Sequence, residues 1–577
     1  MDEGGEINMS RINSMNKIMI KGLVAIGYKD IFDDYDQIDP KQLLEDVPTM
    51  GALDMVVFYQ NKTIFAFADL EMHREIIEKM RSCLDEQSQS RIDAFRNKHP
   101  DIALFSADGC FLFFKLALEC YNPSNRELNN EDKVKIFKAY LYCNQLWTDK
   151  ASENIDPQDV PGLFVRVDLP IVEFKLYKDF KVQMYKAKEF FKYCEQDELF
   201  RPFLDLFCKD HLVTSWKDYL LTWFNFLQSS IKTQWVKFEG DNERYIPFFD
   251  QYTINPADCK QLWSSNDQFY LRNHFLYSPR KGLYLLLNHN LMVDKFYQGM
   301  KFDFGKSVIQ HGCVNENGKP IDNIPQFSSV VGNRISESKL FYSLMHKAFD
   351  GYYESIFEGE TMKPIFGNDA EPDFYLRRGN HVFLFEYKDL TLGEPVKFSD
   401  DLEFVKKEVT RRICKGGSSN RKGGGQLLYS MNAIMNEKKM HPLDTEAEHA
   451  DVIFPIIVTT DRAFSAMGIN YMIIPEFTQL ARQYKINTHI APVVIMDYDT
   501  LFMLCNQLHE GKLDLEKIII AYTSKLLNSP NGIDFISSFY TFAYDEYRQI
   551  EETEEQLNYV LGDLVKDLAE ISDTSVI

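Results

Sequence analysis

The sequence has no apolar run near the roughly 20 residues that a membrane-crossing helix needs. Its ten cysteines are scattered, none in a C-x-x-C pair and none beside a close histidine cluster, which argues against a zinc module. Free thiols of that kind suit a reducing, cytoplasmic setting. Basic residues are in deficit: 64 Lys and Arg face 86 Asp and Glu, a net charge of −22. That excludes a surface that binds nucleic acid everywhere, though not a local basic channel. No repeat of constant period is present, and the opening MDEGGEINMS is too acidic and polar for a secretion signal. A nucleotide loop is missing as well. Gly305-Lys306-Ser307 follows Gly299, but five residues separate the glycines where that loop has four, so no nucleotide cofactor and no motor are expected. The histidines are dispersed, and His346 and His381 read as structural or exposed. What is abundant is aromatic side chain, 45 Phe and 30 Tyr, enough for a folded protein of several domains across 577 residues.

The most informative segment is 371–388, EPDFYLRRGNHVFLFEYK. Asp373 follows a proline at the start of an apolar arm. Arg377-Arg378-Gly379-Asn380 is a polar turn in which Gly and Asn tolerate positive φ. In the second arm Val382, Leu384, Glu386 and Lys388 alternate with Phe383, Phe385 and Tyr387, so both faces are apolar and the strand is buried. A carboxylate and an ammonium at the end of such a strand are costly unless they pair or hold a metal. Pairing of the arms brings Asp373 close to Glu386. Two convergent carboxylates are hard oxygen ligands suited to Mg²⁺. An ordinary hairpin with a strand-end ion pair is the alternative.

Pro-Asp, a short hairpin and Glu-x-Lys resemble the signature of the PD-(D/E)XK nuclease superfamily. The resemblance implies that Asp373 and Glu386 bind Mg²⁺, with Mn²⁺ as a substitute, and that Lys388 positions the attacking water. It also implies an acidic residue from a preceding helix. Ser336 reads as the cap of a helix over 337–357 with Leu340, Phe341, Leu344, Met345, Ala348, Phe349, Tyr352 and Tyr353 at helical spacing, and Glu337 takes the family position in its first turn. A role at the helix dipole is the alternative for Glu337. Glu354 and Glu358 read as solvated. Downstream, Gln426 opens a helix and resembles the glutamine of the RecB-like branch near the active site. Tyr429 follows one residue sooner than in that branch, which favours Gln426 over Tyr429.

Between the lysine and Gln426 a helix is expected over 402–413, with Leu402, Val405, Val409 and Ile413 inward, then a glycine-rich loop over 415–425. Lys406, Lys407, Arg411, Arg412, Lys415, Arg421 and Lys422 cluster here, opposed only by Asp401, Glu403 and Glu408. With glycines that permit close backbone approach, this reads as a phosphate-contacting surface, or else as a solvated face. A strand over 451–461 would complete the sheet.

The expected fold is therefore α/β: a mixed-sheet, restriction-endonuclease-like core over 330–500. A large mainly helical region over 1–325 precedes it, and a helical extension with an acidic tail over 501–577 follows. The polar, turn-rich stretch 310–329 marks the boundary. In the N-terminal region, 55–69 reads as a β-hairpin turned at Asn61-Lys62 and 161–174 as extended. The segments 71–87, 131–147 and 180–194 read as helices. The resemblance implies a metal-dependent endonuclease acting on DNA rather than RNA. Standing without a motor, it would serve as a restriction or phage-defence effector. An RNA-cleaving effector and a non-catalytic interaction scaffold stay open, as does a homodimer or an operon-encoded partner bound through the N-terminal region.

Overall fold

The structure is a computed structural model that describes residues 24–65, 70–99, 102–152, 159–172, 178–265, 269–367, 371–415, 423–528 and 537–547. The N-terminal half is mainly helical, with a parallel pair of two-residue strands, Val24–Ala25 and Ile102–Ala103. It also holds a three-stranded antiparallel sheet of Trp235–Lys237, Leu276–Arg280 and Leu283–Leu286. Two of its helices bear on the site: α1, Phe180–Gln196, and α2, Gln298–Gln310. Among the described residues no helix is long and apolar enough to cross a membrane.

A mixed sheet forms the second half. Strands β1 (Ser355–Glu358), β2 (Phe374–Arg378) and β3 (His381–Lys388) run antiparallel to one another in order. Strand β4 (Val452–Thr459) lies parallel to β3, pairing His381 with Val452 and Lys388 with Thr459. Along the other edge of β4, two short parallel strands follow end to end, β5 (His489–Ile490) and β6 (Val494–Asp497). The sequence thus yields a mixed α/β fold with helix, hairpin, helices and strand in the expected order.

The helices divide between the faces of this sheet. A continuous helical run begins at α3 (Ile324–Val331), passes through wide, π-type turns over Gly332–Phe341, and ends with α4 (Tyr342–Phe349). Its Phe341 stacks on Tyr387 at 4.7 Å and its Phe349 meets Phe385 at 6.2 Å, so it covers the Phe383, Phe385 and Tyr387 face of β3. The crossover from β3 to β4 carries α5 (Leu402–Thr410), which continues through wide turns over Arg411–Lys415, and α6 (Gly424–Met435). Helix α6 packs on β3 and β4. Beyond its end, Asp444 reaches Tyr375 and Arg377, on the face opposite α4. Helix α7 (Ile469–Ala481) leads to β5, and α8 (Tyr498–His509) follows β6 and packs on α4. Val382, Phe383, Leu384 and Phe385 of β3 are all fully buried, each contributing about 1.5–3 kcal/mol.

Several sequence expectations are corrected. Residues 55–65 are not an arm of a hairpin. They continue the helix Thr49–Gln60 and the wide turns Asn61–Phe65, while 66–69 lie outside the described residues. The β-branched and aromatic content is strand-like, but Ala52, Leu53, Val56 and Val57 are buried at helical spacing, and burial decides. The stretch from 161 is helical over Val160–Asp168. Pro161 sits in the first turn, where its missing N–H is harmless, and Asp159 caps by accepting from the Gly162 N–H at 3.0 Å. The helix expected at 337–357 starts earlier, because Asn323 caps it by accepting from the Gln326 N–H at 3.0 Å. Ser336 is therefore a buried interior residue and not a cap. Tyr352 lies past the end of the helix and is exposed.

The hairpin turn is tighter than expected: Gly379, at φ +55°, and Asn380 alone form it, and Arg377 and Arg378 belong to β2. Arg377 is buried against Asp444 at 2.7 Å, with Glu354 on its outer side at 2.5 Å. Glu354 is thus paired rather than merely solvated, and Glu358 bonds His346 at 3.0 Å.

Asp444 is nearly inaccessible, whereas the Glu354 side chain is 57% exposed. Asp444→Ala, which strips the inner partner from a buried guanidinium, should cost about 3 kcal/mol in urea unfolding. Glu354→Ala should cost under about 1 kcal/mol. Equal losses would show that the inner pair carries no special weight.

Candidate metal and active site

Phe374 pairs with Phe385, and the Asp373 N–H donates to the Phe385 carbonyl at 3.0 Å. One further step of this register sets Asp373 across from Glu386, on the same side of the hairpin. Asp373 Oδ2 accepts from the Tyr387 N–H at 2.6 Å, which fixes the carboxylate at the mouth of β2. Glu386 is wholly inaccessible. Its Oε1 is ion-paired with Lys388 Nζ, two residues on along the same face, and its Oε2 is buried with no hydrogen-bond partner among the described residues. Lys388 is 18% exposed, so the ammonium reaches from the buried carboxylate toward the surface. The hairpin therefore gathers Asp373, Glu386 and Lys388 as expected.

Glu337 approaches from the wide-turned part of the helix. In such turns residues five apart are bonded, and the Tyr342 N–H donates to the Glu337 carbonyl. The same spacing lets the Tyr342 hydroxyl hydrogen-bond to Glu337 Oε1. Ordinary helical periodicity does not make residues 337 and 342 neighbours, so the role of Tyr342 was not readable from the sequence. Gln426 lies in the first turn of α6, and its Nε2 donates to the Glu371 carbonyl at 3.1 Å. It braces the segment that leads to Asp373. The turn before it depends on Gly423, at φ +56°, where a Cβ would come within 1.8 Å of the Ile413 carbonyl oxygen.

The electrostatics are those of crowded, desolvated carboxylates. Burial raises the Glu386 carboxyl to about 7, against the opposing pull of Lys388. Burial, then the charges of Glu386 and Glu337, drive Asp373 well above its ordinary value, with Lys388 again opposing. Burial raises Glu337 too, partly offset by the Tyr342 hydroxyl. For Lys388, burial acts to lower the value but is outweighed by Glu386 and Asp373, so the ammonium stays protonated.

Among the described residues, no three Asp, Glu, His or Cys side chains stand gathered as metal ligands. The carboxylates are instead turned to protein donors: Asp373 to a backbone N–H, Glu386 to Lys388 and Glu337 to Tyr342. Hard oxygen donors, one of them orphaned, nevertheless fit Mg²⁺ or Mn²⁺, which take one or two carboxylates and keep several waters.

The expected phosphate-binding residues are spread along α5 and beyond. Lys406 pairs with Asp159 at 2.8 Å and with Glu403 at 3.1 Å, and Asp159 is an opposing charge from the N-terminal half that sequence proximity did not show. Arg411 pairs with Glu408 at 2.8 Å. Arg412 donates to the Thr391 carbonyl at 2.9 Å, just past the end of β3. Lys407 is exposed. The side chain of Lys415, and Arg421 and Lys422 altogether, lie outside the described residues.

No protein-family model, curated protein or solved structure matches the chain, so the site alone carries its functional reading.

A carboxyl whose folded value lies above its ordinary 4.5 is neutral in the folded state over a range where it is charged in the unfolded chain. The stability it permits is present below about 4.5 and is lost as pH rises toward about 7. Metal-free protein should therefore lose thermal stability across that window, and Glu386→Gln should remove part of the loss. Ionised ligands bind metal better, so the rise in Tm with Mg²⁺ should grow in the same direction, between about pH 5 and pH 8. In Glu386→Gln that rise should vanish. A wild-type Tm indifferent to Mg²⁺ at every pH would overturn the metal assignment.

Proposed function

We propose that the chain is a Mg²⁺-dependent nuclease of the PD-(D/E)XK type that hydrolyses phosphodiester bonds, with DNA favoured over RNA. The observation that carries this reading is the inaccessible Glu386, one oxygen on Lys388 and the other without a partner among the described residues, directly across the hairpin from Asp373. A strand-end ion pair kept only for structure would not need a second carboxylate facing it and a third, Glu337, entering from a helix. Each adds repulsion at Asp373, whose carboxyl is raised first by burial and then by the charges of Glu386 and Glu337. The element order around the hairpin supports the restriction-endonuclease-like core that the motif implies.

Asp373 and Glu386 would hold the ion, with Glu337 beside them. When bound, the ion supplies charge stabilisation to the phosphate and a lowered pKa to a coordinated water. Lys388, protonated and rooted on Glu386, orients a water and offsets charge that develops on the phosphate. Gln426 keeps the Glu371 segment in place and so supports Asp373. Lys407 is open to phosphates along the crossover, and Arg412, which donates to the Thr391 carbonyl and lies 3.9 Å from Glu408, would turn toward them. Lys406 and Arg411 would first have to exchange their carboxylate partners for phosphate. A cytoplasmic setting, argued from the free cysteines, and a defence role, argued from a nuclease motif without a motor, belong to the same proposal.

The test is cleavage of plasmid DNA, single-stranded DNA and RNA with Mg²⁺, Mn²⁺ or EDTA. Lys388→Ala should lower the rate by about 10²–10⁴-fold, and Asp373→Ala should abolish cutting, with both proteins still folded. Cleavage of RNA alone would make the chain an RNA-cleaving effector. Undiminished cleavage in EDTA or in both variants would overturn the reading. A second measurement concerns the surface around α5. Each phosphate contact made releases counterions and steepens the salt dependence of duplex binding by about one log–log unit. Neutralising Lys407 and Arg412 together should flatten the slope by about two units and leave sequence preference unchanged.

A further inference from the structure

The residue that follows Lys388 has no part in the metal motif, yet it is the most heavily bonded carboxylate near the site. Asp389 receives Lys301 Nζ on both oxygens at 3.0 Å, Ser336 Oγ at 2.5 Å and Thr460 Oγ1 at 2.9 Å. The donors come from three separate elements: α2 of the N-terminal half, the wide-turned helix, and the residue just past β4. Lys301 and Asp389 are only 7% and 11% exposed. Burial alone would raise the Asp389 carboxyl, but Lys301 and then Ser336 outweigh it and hold it below its ordinary value, so the group stays ionised.

Two covalent neighbours give this network its meaning. Ser336 immediately precedes Glu337, and Asp389 immediately follows Lys388. The same stretch of helix departs from α geometry over ten residues, Gly332–Phe341. Ser336 and Glu337 stand near its middle. Wide turns of this kind cost backbone regularity and persist where a side chain must be aimed. Here the Ser336 hydroxyl is drawn to Asp389 while Glu337 is held by Tyr342. The Thr460 N–H also donates to the Lys388 carbonyl at 3.3 Å, closing the other side of the strand end.

Resting on the nuclease reading above, we propose that Asp389 is a positioning residue. Through Ser336 it sets where Glu337 enters the site, through the backbone it sets Lys388, and through Lys301 it makes both depend on α2 of the N-terminal half. Asp389 touches no reacting atom in this role. The N-terminal half then contributes to the geometry of the metal site itself, in addition to any part in substrate recognition.

The experiment uses the full chain, with Mn²⁺ as the probe. It measures Mn²⁺ affinity by electron paramagnetic resonance, Tm, and kcat and KM for DNA cleavage. Ser336→Ala removes a single hydroxyl, so Tm should move by only a few degrees. Mn²⁺ affinity and kcat should each fall about 10-fold or more, with KM for DNA unchanged, the size of loss typical when a partner of a metal ligand is removed. Lys301→Met should lose as much and also lower Tm, and Lys301→Arg should restore most of the Mn²⁺ affinity. Lys295→Met breaks a different buried pair, with Asp303 at 2.7 Å, and should lower Tm while leaving Mn²⁺ affinity alone. Wild-type Mn²⁺ affinity in Ser336→Ala would overturn the proposal, even if Lys301→Met fails to fold. An equal loss of affinity in Lys295→Met would also overturn it. If the wild type itself binds no Mn²⁺, the nuclease reading fails first and this inference with it.

Discussion

The chain places a carboxylate at a point of complete burial, on the central strand of a sheet covered on both faces. Glu386 cannot be solvated there, so its charge must be answered by the protein or suppressed by a proton. Lys388 answers one oxygen, and among the described residues no hydrogen-bond partner answers the other. Much else near the strand follows from that demand. Lys388 is tied down two residues later, Asp373 is pinned opposite by a backbone N–H, and Asp389 is clamped by three side chains just beyond. Replacement of the buried group by an apolar residue would relieve desolvation at once. Retention of such an arrangement is intelligible where the unanswered oxygen has a ligand to bind.

A series of buried ion pairs joins the N-terminal helices to the sheet half. Lys186 of α1 reaches Asp499 in the first turn of α8 at 2.6 Å, and Gln183 bonds the same carboxylate at 2.7 Å. Arg462, just past β4, adds a third partner at 3.5 Å. Together these hold Asp499 down to about 2, although burial alone would raise it. Lys301 and Asp389 repeat the pattern beside the hairpin carboxylates. Among the described residues, one cluster of buried apolar side chains takes in both halves, from Ile26 to Ala543. Burial of matched charges between two halves contributes little net stability, but it penalises any misplacement of one half against the other by leaving a charge unpaired.

The electrostatics of the crossover differ from what counting charges implied. Along 402–415 the cations outnumber the local anions, yet Lys406 and Arg411 are engaged by Asp159, Glu403 and Glu408. On a chain of net charge −22, partial neutralisation of a basic helix tempers nonspecific attraction to polyanions.

The sequence by itself determined the local features at the site: the hairpin, its turn at Gly379, the burial of β3 and the approach of Asp373 to Glu386. Each depends on alternation, turn chemistry and register over fewer than about 20 residues, where spacing along the chain translates directly into spacing in space. Helices α5 and α6 and strand β4 were legible for the same reason. Tertiary structure alone decided the rest. Whether 49–65 became helix or hairpin depended on which side chains found a core. Pro161 could open a helix because Asp159 capped it. Glu337 met Tyr342 through wide turns that no ordinary periodicity announces, and Asp389 acquired Lys301, 88 residues away in sequence. Such partners are set by the packing of whole elements, and a buried charge takes whichever partner that packing brings within reach.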